Sequence, residues 1–227
     1  MGLIDIIQNT RKNYKKHGKI SWLICFSALL ANAIVIGIDS SFGETLGSII
    51  QDFNSTEGNV SWIGSVHSSS QYFSASISSL LAKYYGFGPI MFLGILLSSA
   101  FFALCTTASD VSTLAIYHGI LGGVGLGFIY TPGNIICSFH FAKRRSLATG
   151  IALCGSGLGI ALVSFVANII NTRYGWKACF IFFATACPIC GLLAGLAILF
   201  PEKGFNDYVL ISNGDRNSRE EYENKSR

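Results

Sequence analysis

Phe141-Ala142-Lys143-Arg144-Arg145-Ser146-Leu147-Ala148-Thr149-Gly150-Ile151-Ala152-Leu153-Cys154-Gly155-Ser156-Gly157-Leu158-Gly159 is the stretch that decides the fold. Three consecutive cations run directly into apolar residues punctuated by glycine. Cations do not reside in hydrocarbon, so Lys143, Arg144 and Arg145 fix this point of the chain at a membrane surface. The apolar run that follows reads as a spanning helix. Its Gly150, Gly155 and Gly159 would admit a neighbouring helix at close range.

The rest of the chain agrees. Of its 227 residues 51% are hydrophobic and only 12% charged, with a mean hydropathy of +0.50. A soluble domain carries about 25% charged residues, and a larger core does not explain so deep a deficit. The apolar residues also come in blocks near the ~20 residues that cross about 30 Å of hydrocarbon. Six spans are predicted, over 22–41, 62–81, 89–107, 112–137, 147–170 and 178–200. The expected fold is therefore an all-α membrane bundle of six transmembrane helices. A basic N-terminus (1–19) precedes the bundle (20–203), and a polar tail (204–227) follows it. Residues 1–19 do not read as a cleavable signal peptide, because the first apolar block is long enough to span.

Orientation follows from Lys and Arg. An even number of spans puts both ends, Lys83 and the 143–145 cluster on one side with fourteen cations, against Arg173 and Lys177 on the other. That side is predicted to be cytoplasmic. The loop expected over 42–61 would face outward, with Glu44, Asp52, Glu57 and the sequons at Asn54 and Asn59. The tail from Asn206 onward reads as disordered.

Several residues carry potential chemistry. Asp39 is the one acid well inside a predicted span. It either faces water or a partner, which would make it a functional residue, or it marks an early end of the first span at the outer interface. His67 and His118 are readable as proton relays or as single donors to a neighbouring helix. The second span is serine-rich, which suggests a face turned to water or to another helix. It also holds Gln71 and Tyr72. The fourth span carries Tyr130, Thr131, Asn134 and Pro132, which frees a backbone carbonyl. The glycines at 119, 122, 123, 125 and 127 read as packing surface; no strand precedes them and no lysine follows, so a phosphate loop is excluded. Arg145 offers either a bidentate site for a carboxylate or a headgroup contact. The seven cysteines lie in apolar blocks and read as buried free thiols, Cys187 and Cys190 of the Cys187-Pro188-Ile189-Cys190 run included. No metal or cofactor is implied.

The run from Phe141 through Lys143, Arg144, Arg145, Leu147, Ala148, Gly150, Ala152, Gly155 and Gly159 resembles a signature of the monocarboxylate transporter family, a branch of the major facilitator superfamily. Val60-Ser61-Trp62-Ile63, Tyr84-Tyr85-Gly86, Gly122-Gly123 and Tyr174-Gly175-Trp176 resemble the family as well. The resemblance implies transport of a small monocarboxylate or related organic solute by alternating access, not an enzyme. The expected partners are the lipid bilayer, a small organic solute with or without a proton, and a second six-helix half. No nucleic acid is expected. The resemblance places Tyr72, Arg145 and Ser156 on the substrate path; Asp39 joins them on its own chemistry. Two features depart from the family. Its first signature is matched only at Gly18 and Trp22, and Ser40 stands where proton-coupled members carry lysine. The length implies the N-terminal half alone. Such a half is expected either to pair with its complement or, as a truncated non-transporting protein, to bind and regulate a full-length transporter or accessory subunit.

Overall fold

The computed structural model describes residues 18–140 and 145–199. Every regular element among them is helical. In chain order these are α1 (Gly18–Asp52), α2 (Glu57–Tyr85), α3 (Phe87–Cys105), α4, α5 (Arg145–Tyr174) and α6 (Trp176–Leu199). Helix α4 is composite: a first turn (Val111–Leu114), a π-helical stretch (Ala115–Gly122) and an α-helical body (Gly123–His140). The bundle of six helices matches the sequence expectation, with α1, α2, α4 and α5 longer than the predicted spans. The proposed 1–19 segment and the tail from 204 lie outside the described residues, apart from the start of α1.

Helix α1 corrects the predicted outer loop. It continues 11 residues past 41, to Asp52. The reason lies in Phe42, Leu46, Ile49 and Ile50, which recur at helical spacing and form an apolar stripe. Phe42 and Ile49 are buried, while Gln51 and Asp52 point outward. Only residues 53–56 remain as a turn, with Asn54 at φ 51°, a left-handed conformation that asparagine tolerates. Asn59 belongs to the first turns of α2. At ~1.5 Å per residue the 35 residues of α1 measure about 52 Å, more than the hydrocarbon thickness.

Four helices are long and apolar enough to cross a membrane by composition: Trp22–Asp52, Phe87–Cys105, Val111–Ile135 and Ser146–Tyr174. The serines of α2 lower its hydropathy. Helix α6 is apolar over Trp176–Ile189.

Helices α1 and α4 lie between α2 and α5, each packing against both. Helices α3 and α6 pack on one another, α3 also against α4 and α6 also against α1. The core where these helices meet is aromatic. Phe102 stands edge-on to Phe183 at 6.2 Å, and Phe180 bridges Phe183 and Trp176. The longest seam joins α1 to α5 and depends on glycine. A Cβ on Gly155 would strike the Leu29 carbonyl, and one on Gly159 the Ala33 carbonyl. Gly150 does not share that role: nothing lies within 4 Å of its missing Cβ. Cys154 also departs from expectation, because it is exposed on α5, whereas Cys25, Cys105, Cys137, Cys179 and Cys187 are buried. The side chain of Cys190 lies outside the described set.

Candidate functional site

Polar side chains inside an apolar bundle need partners, and among the described residues two groups of them link several helices. The first lies toward the end of the bundle where α4 finishes and α5 begins. Asn32 is buried on α1 and faces Asn134 of α4. The two amides bond reciprocally: Asn32 Nδ2 donates to Asn134 Oδ1 at 2.9 Å, and Asn134 Nδ2 donates to Asn32 Oδ1 at 3.1 Å. The Asn32 amide also donates to the carbonyls of Ala28 and of Ala152 on α5. Three helices are thereby tied at one point. One turn away on α4, Tyr130 meets Tyr72 of α2 edge to face, with ring centroids 6.4 Å apart and planes at 88°. Tyr72 is 54% exposed and Tyr130 half-buried, so both phenols sit at the margin of the packed core.

The second group lies nearer the end of the bundle that carries the α1–α2 turn. Asp39 of α1 accepts a hydrogen bond from Ser68 Oγ of α2 at 2.9 Å. Its Oδ1 is also 3.9 Å from His67 Nε2. His67 Nδ1 donates to the His118 carbonyl at 2.7 Å. The His67 and His118 rings stack at 4.3 Å and 9°, and Phe42 covers the other face of His118 at 4.8 Å. Both histidines are fully buried. Helix α1 runs on to Asp52, so Asp39 does not mark the end of the helix, and its carboxylate faces α2.

The α2–α4 contact that holds these rings together requires glycine. A Cβ on Gly123 would meet the His67 carbonyl at 2.5 Å, and one on Gly127 would collide with Ser74 Oγ. Ser74 also donates to the Val124 carbonyl at 3.2 Å. The serine-rich face of α2 is thus partly a helix-packing face, as its composition suggests. Ser65, Ser69 and Ser76 are exposed.

The four expected site residues do not form one constellation. Asp39 joins Ser68 and His67. Tyr72 joins Tyr130. Ser156 is half-buried on α5, on the far flank of α1 and α4 from Tyr72. Arg145 opens α5, 11 residues before Ser156 and so about 16 Å along the helix axis; its side chain lies outside the described set, as do Lys143 and Arg144. Sequence reasoning passed over Asn32, although a lone amide in an apolar span was a usable signal. It also passed over Asn168 and Asn171 of α5, which donate to Glu44 Oε2 and the Glu44 carbonyl, both at 2.8 Å. Trp176 Nε1 donates to Asp52 Oδ2 at 2.9 Å at the same end.

Long apolar helices, glycine-lined seams and buried polar ties define a multi-pass α-helical membrane protein. Residues 23–211 match the Major Facilitator Superfamily, and the chain belongs to that superfamily. Similar proteins include monocarboxylate transporter 6 of Mus musculus, 25% identical over 179 residues, which are 78% of this chain and 38% of that protein. Monocarboxylate transporter 13 of Bos taurus is 30% identical over 160 residues, 70% of this chain and 38% of the relative. Monocarboxylate transporter 2 of Mus musculus is 30% identical over 168 residues, 72% and 34% respectively. The matches thus span well under half of these relatives' length.

Proposed function

We propose that this chain supplies a six-helix half of a solute transporter, the N-terminal one, which carries a small monocarboxylate or related organic solute across the bilayer. The observation that carries the reading is the Tyr72–Tyr130 pair beside the Asn32–Asn134 tie. The two phenols stand at the margin of the core on adjoining helices, next to a buried amide tie. Lipid is a poor neighbour for them; a polar solute and a facing half are better ones. Solute sites in such architectures lie between two halves near the midplane. Arg145 would pair with the carboxylate, Tyr72 and Ser156 would shape the path, and rocking of the halves would alternate access. The excess of Lys and Arg on one side favours cytoplasmic termini, and the plasma membrane is the proposed location.

The test is uptake of labelled lactate and pyruvate into proteoliposomes holding this chain with and without a complementary six-helix half. Uptake is expected only with both. Arg145→Gln should lower it by about tenfold or more and Arg145→Lys by less, because lysine keeps the charge but not the bidentate fork. Equal uptake by Arg145→Gln and the native chain would remove Arg145 from the mechanism.

A second reading has its own support. Phe73, Ile77 and Leu80 of α2 and Leu158, Leu162 and Phe165 of α5 are exposed, and such faces suit a helical partner. The chain would then bind a full-length transporter or accessory subunit and regulate it. Stable binding to a full-length relative, with no uptake alongside a complementary half, would favour this reading.

A further inference from the structure

We infer that Asp39 and His67 together form an internal proton-binding site that ties α1 to α2. His67 Nδ1 lies 2.7 Å from the His118 carbonyl oxygen, which only accepts. Nδ1 must therefore carry a hydrogen, and Nε2 is left as the position that gains or loses one. Nε2 has no hydrogen-bond partner and is buried, and it points toward Asp39 Oδ1 at 3.9 Å.

With a neutral ring and an ionised carboxylate, a lone pair would face an anion in a side chain 1% exposed. One added proton removes that conflict. On Nε2 it gives an imidazolium facing a carboxylate. On Asp39 it gives a carboxylic acid facing an acceptor nitrogen. Either placement binds one proton and turns the His67–Asp39 contact from repulsive to attractive.

The surroundings are built around this pair. From α2 itself, Ser68 donates to the same Asp39 oxygen and fixes the carboxylate. From α4, His118 is the other titratable group, and its ring lies flat on His67 at 4.3 Å. Charge on both stacked rings would repel, so the two rings do not carry a proton charge together. From α3, Phe102 lies 6.4 Å from the His67 ring, and from α6, Phe180 packs edge-on against His118 at 5.2 Å; both are apolar. Glu44, further along α1, is engaged by Asn168 on α5. The π-helical stretch Ala115–Gly122 presents both the His118 ring and its carbonyl, and such stretches cluster at functional positions. The Asp39 side chain is 19% exposed, which gives the proton a way in.

The inference stands apart from the transport reading, and its test needs no substrate. The full chain, labelled with ¹⁵N-histidine and placed in lipid nanodiscs, is titrated by NMR, with His67 assigned by loss of its signals in His67→Gln. The neutral ring should carry its proton on Nδ1, and one proton should bind as pH falls. Asp39→Asn should lower the proton affinity of His67 by about tenfold, since an opposite charge at this range favours the charged ring. Ser68→Ala leaves the carboxylate in place and removes one of its donors, so it should raise the affinity of the pair by about threefold. It serves as the test should Asp39→Asn fail to fold. A neutral ring protonated on Nε2, or a change of less than about twofold in the variant measured, would overturn the inference.

Discussion

Asn32 shows how much one amide does in an apolar setting. Its Nδ2 donates to three oxygens on three helices, those of Ala28, Asn134 and Ala152, while its own oxygen accepts from Asn134. Asn32→Asp keeps the shape but replaces the donor with an anion that faces two carbonyls. Asn32→Leu loses the bonds yet brings no charge. We expect Asn32→Asp to be the more destabilising of the two, because an uncompensated buried charge costs several kcal/mol, whereas interhelical bonds in membranes contribute about 0.6–1.7 kcal/mol each. Unfolding of each variant in mixed micelles gives the order; a less stable Asn32→Leu would show that the amide network matters more than charge burial. The same residue marks a limit of reading by type. Ionisable residues such as Asp39 attract attention by their cost, while a lone amide does not, although its bonds decide where α1, α4 and α5 meet.

At the scale of elements, the α1–α5 seam turns on which glycines face α1. Gly155 and Gly159 lie against the backbone of α1, whereas Gly157 has nothing within 4 Å of its missing Cβ. Alanine at 159 must push the helices apart, at a cost of about 1–3 kcal/mol. Alanine at 157 meets open space and gains helix propensity of up to about 1 kcal/mol. Melting temperatures of Gly157→Ala and Gly159→Ala should therefore move in opposite directions, and a shared direction would contradict this seam. The period of these glycines was legible in the sequence, as was each helix's existence, because glycine spacing and apolar block length are local signals. The reach of α1 to Asp52 was not. A search for ~20-residue blocks stops where Gly43 and Glu44 dilute the apolar run, and the stripe of Phe42, Leu46 and Ile49 is visible only as a helical period. The stacking of His67 on His118 was out of reach for a different reason: it depends on the π-helical register of α4 and on the close α2–α4 approach that Gly123 permits.

The whole molecule presents two unlike sides. On α3 and α6 most exposed residues are apolar, such as Leu93, Leu96, Ile181 and Ile189, with Lys177 and Thr185 of α6 as exceptions. On α2 and α5 large apolar groups are interspersed with polar ones: Tyr72, Ser65, Ser69 and Ser76 on α2, Asn168 and Thr172 on α5. Hydrocarbon solvates the first kind of surface well and the second poorly, so the proposed facing half would sit on the α2 and α5 flanks. Because α1 and α4 lie between those flanks, a partner touching both would also face the Tyr72–Tyr130 pair. A photo-reactive side chain placed at Ile77 or Leu158 should capture a co-reconstituted six-helix half, and one at Leu96 or Ile181 should capture lipid. Capture at Ile77 without capture at Leu158 would mean a partner that contacts α2 alone, which would leave the α4–α5 side open and remove the enclosed path the transport reading needs. Equal capture at all four positions would mean no preferred face, and the polar groups of α2 would then have to be explained by packing inside this bundle.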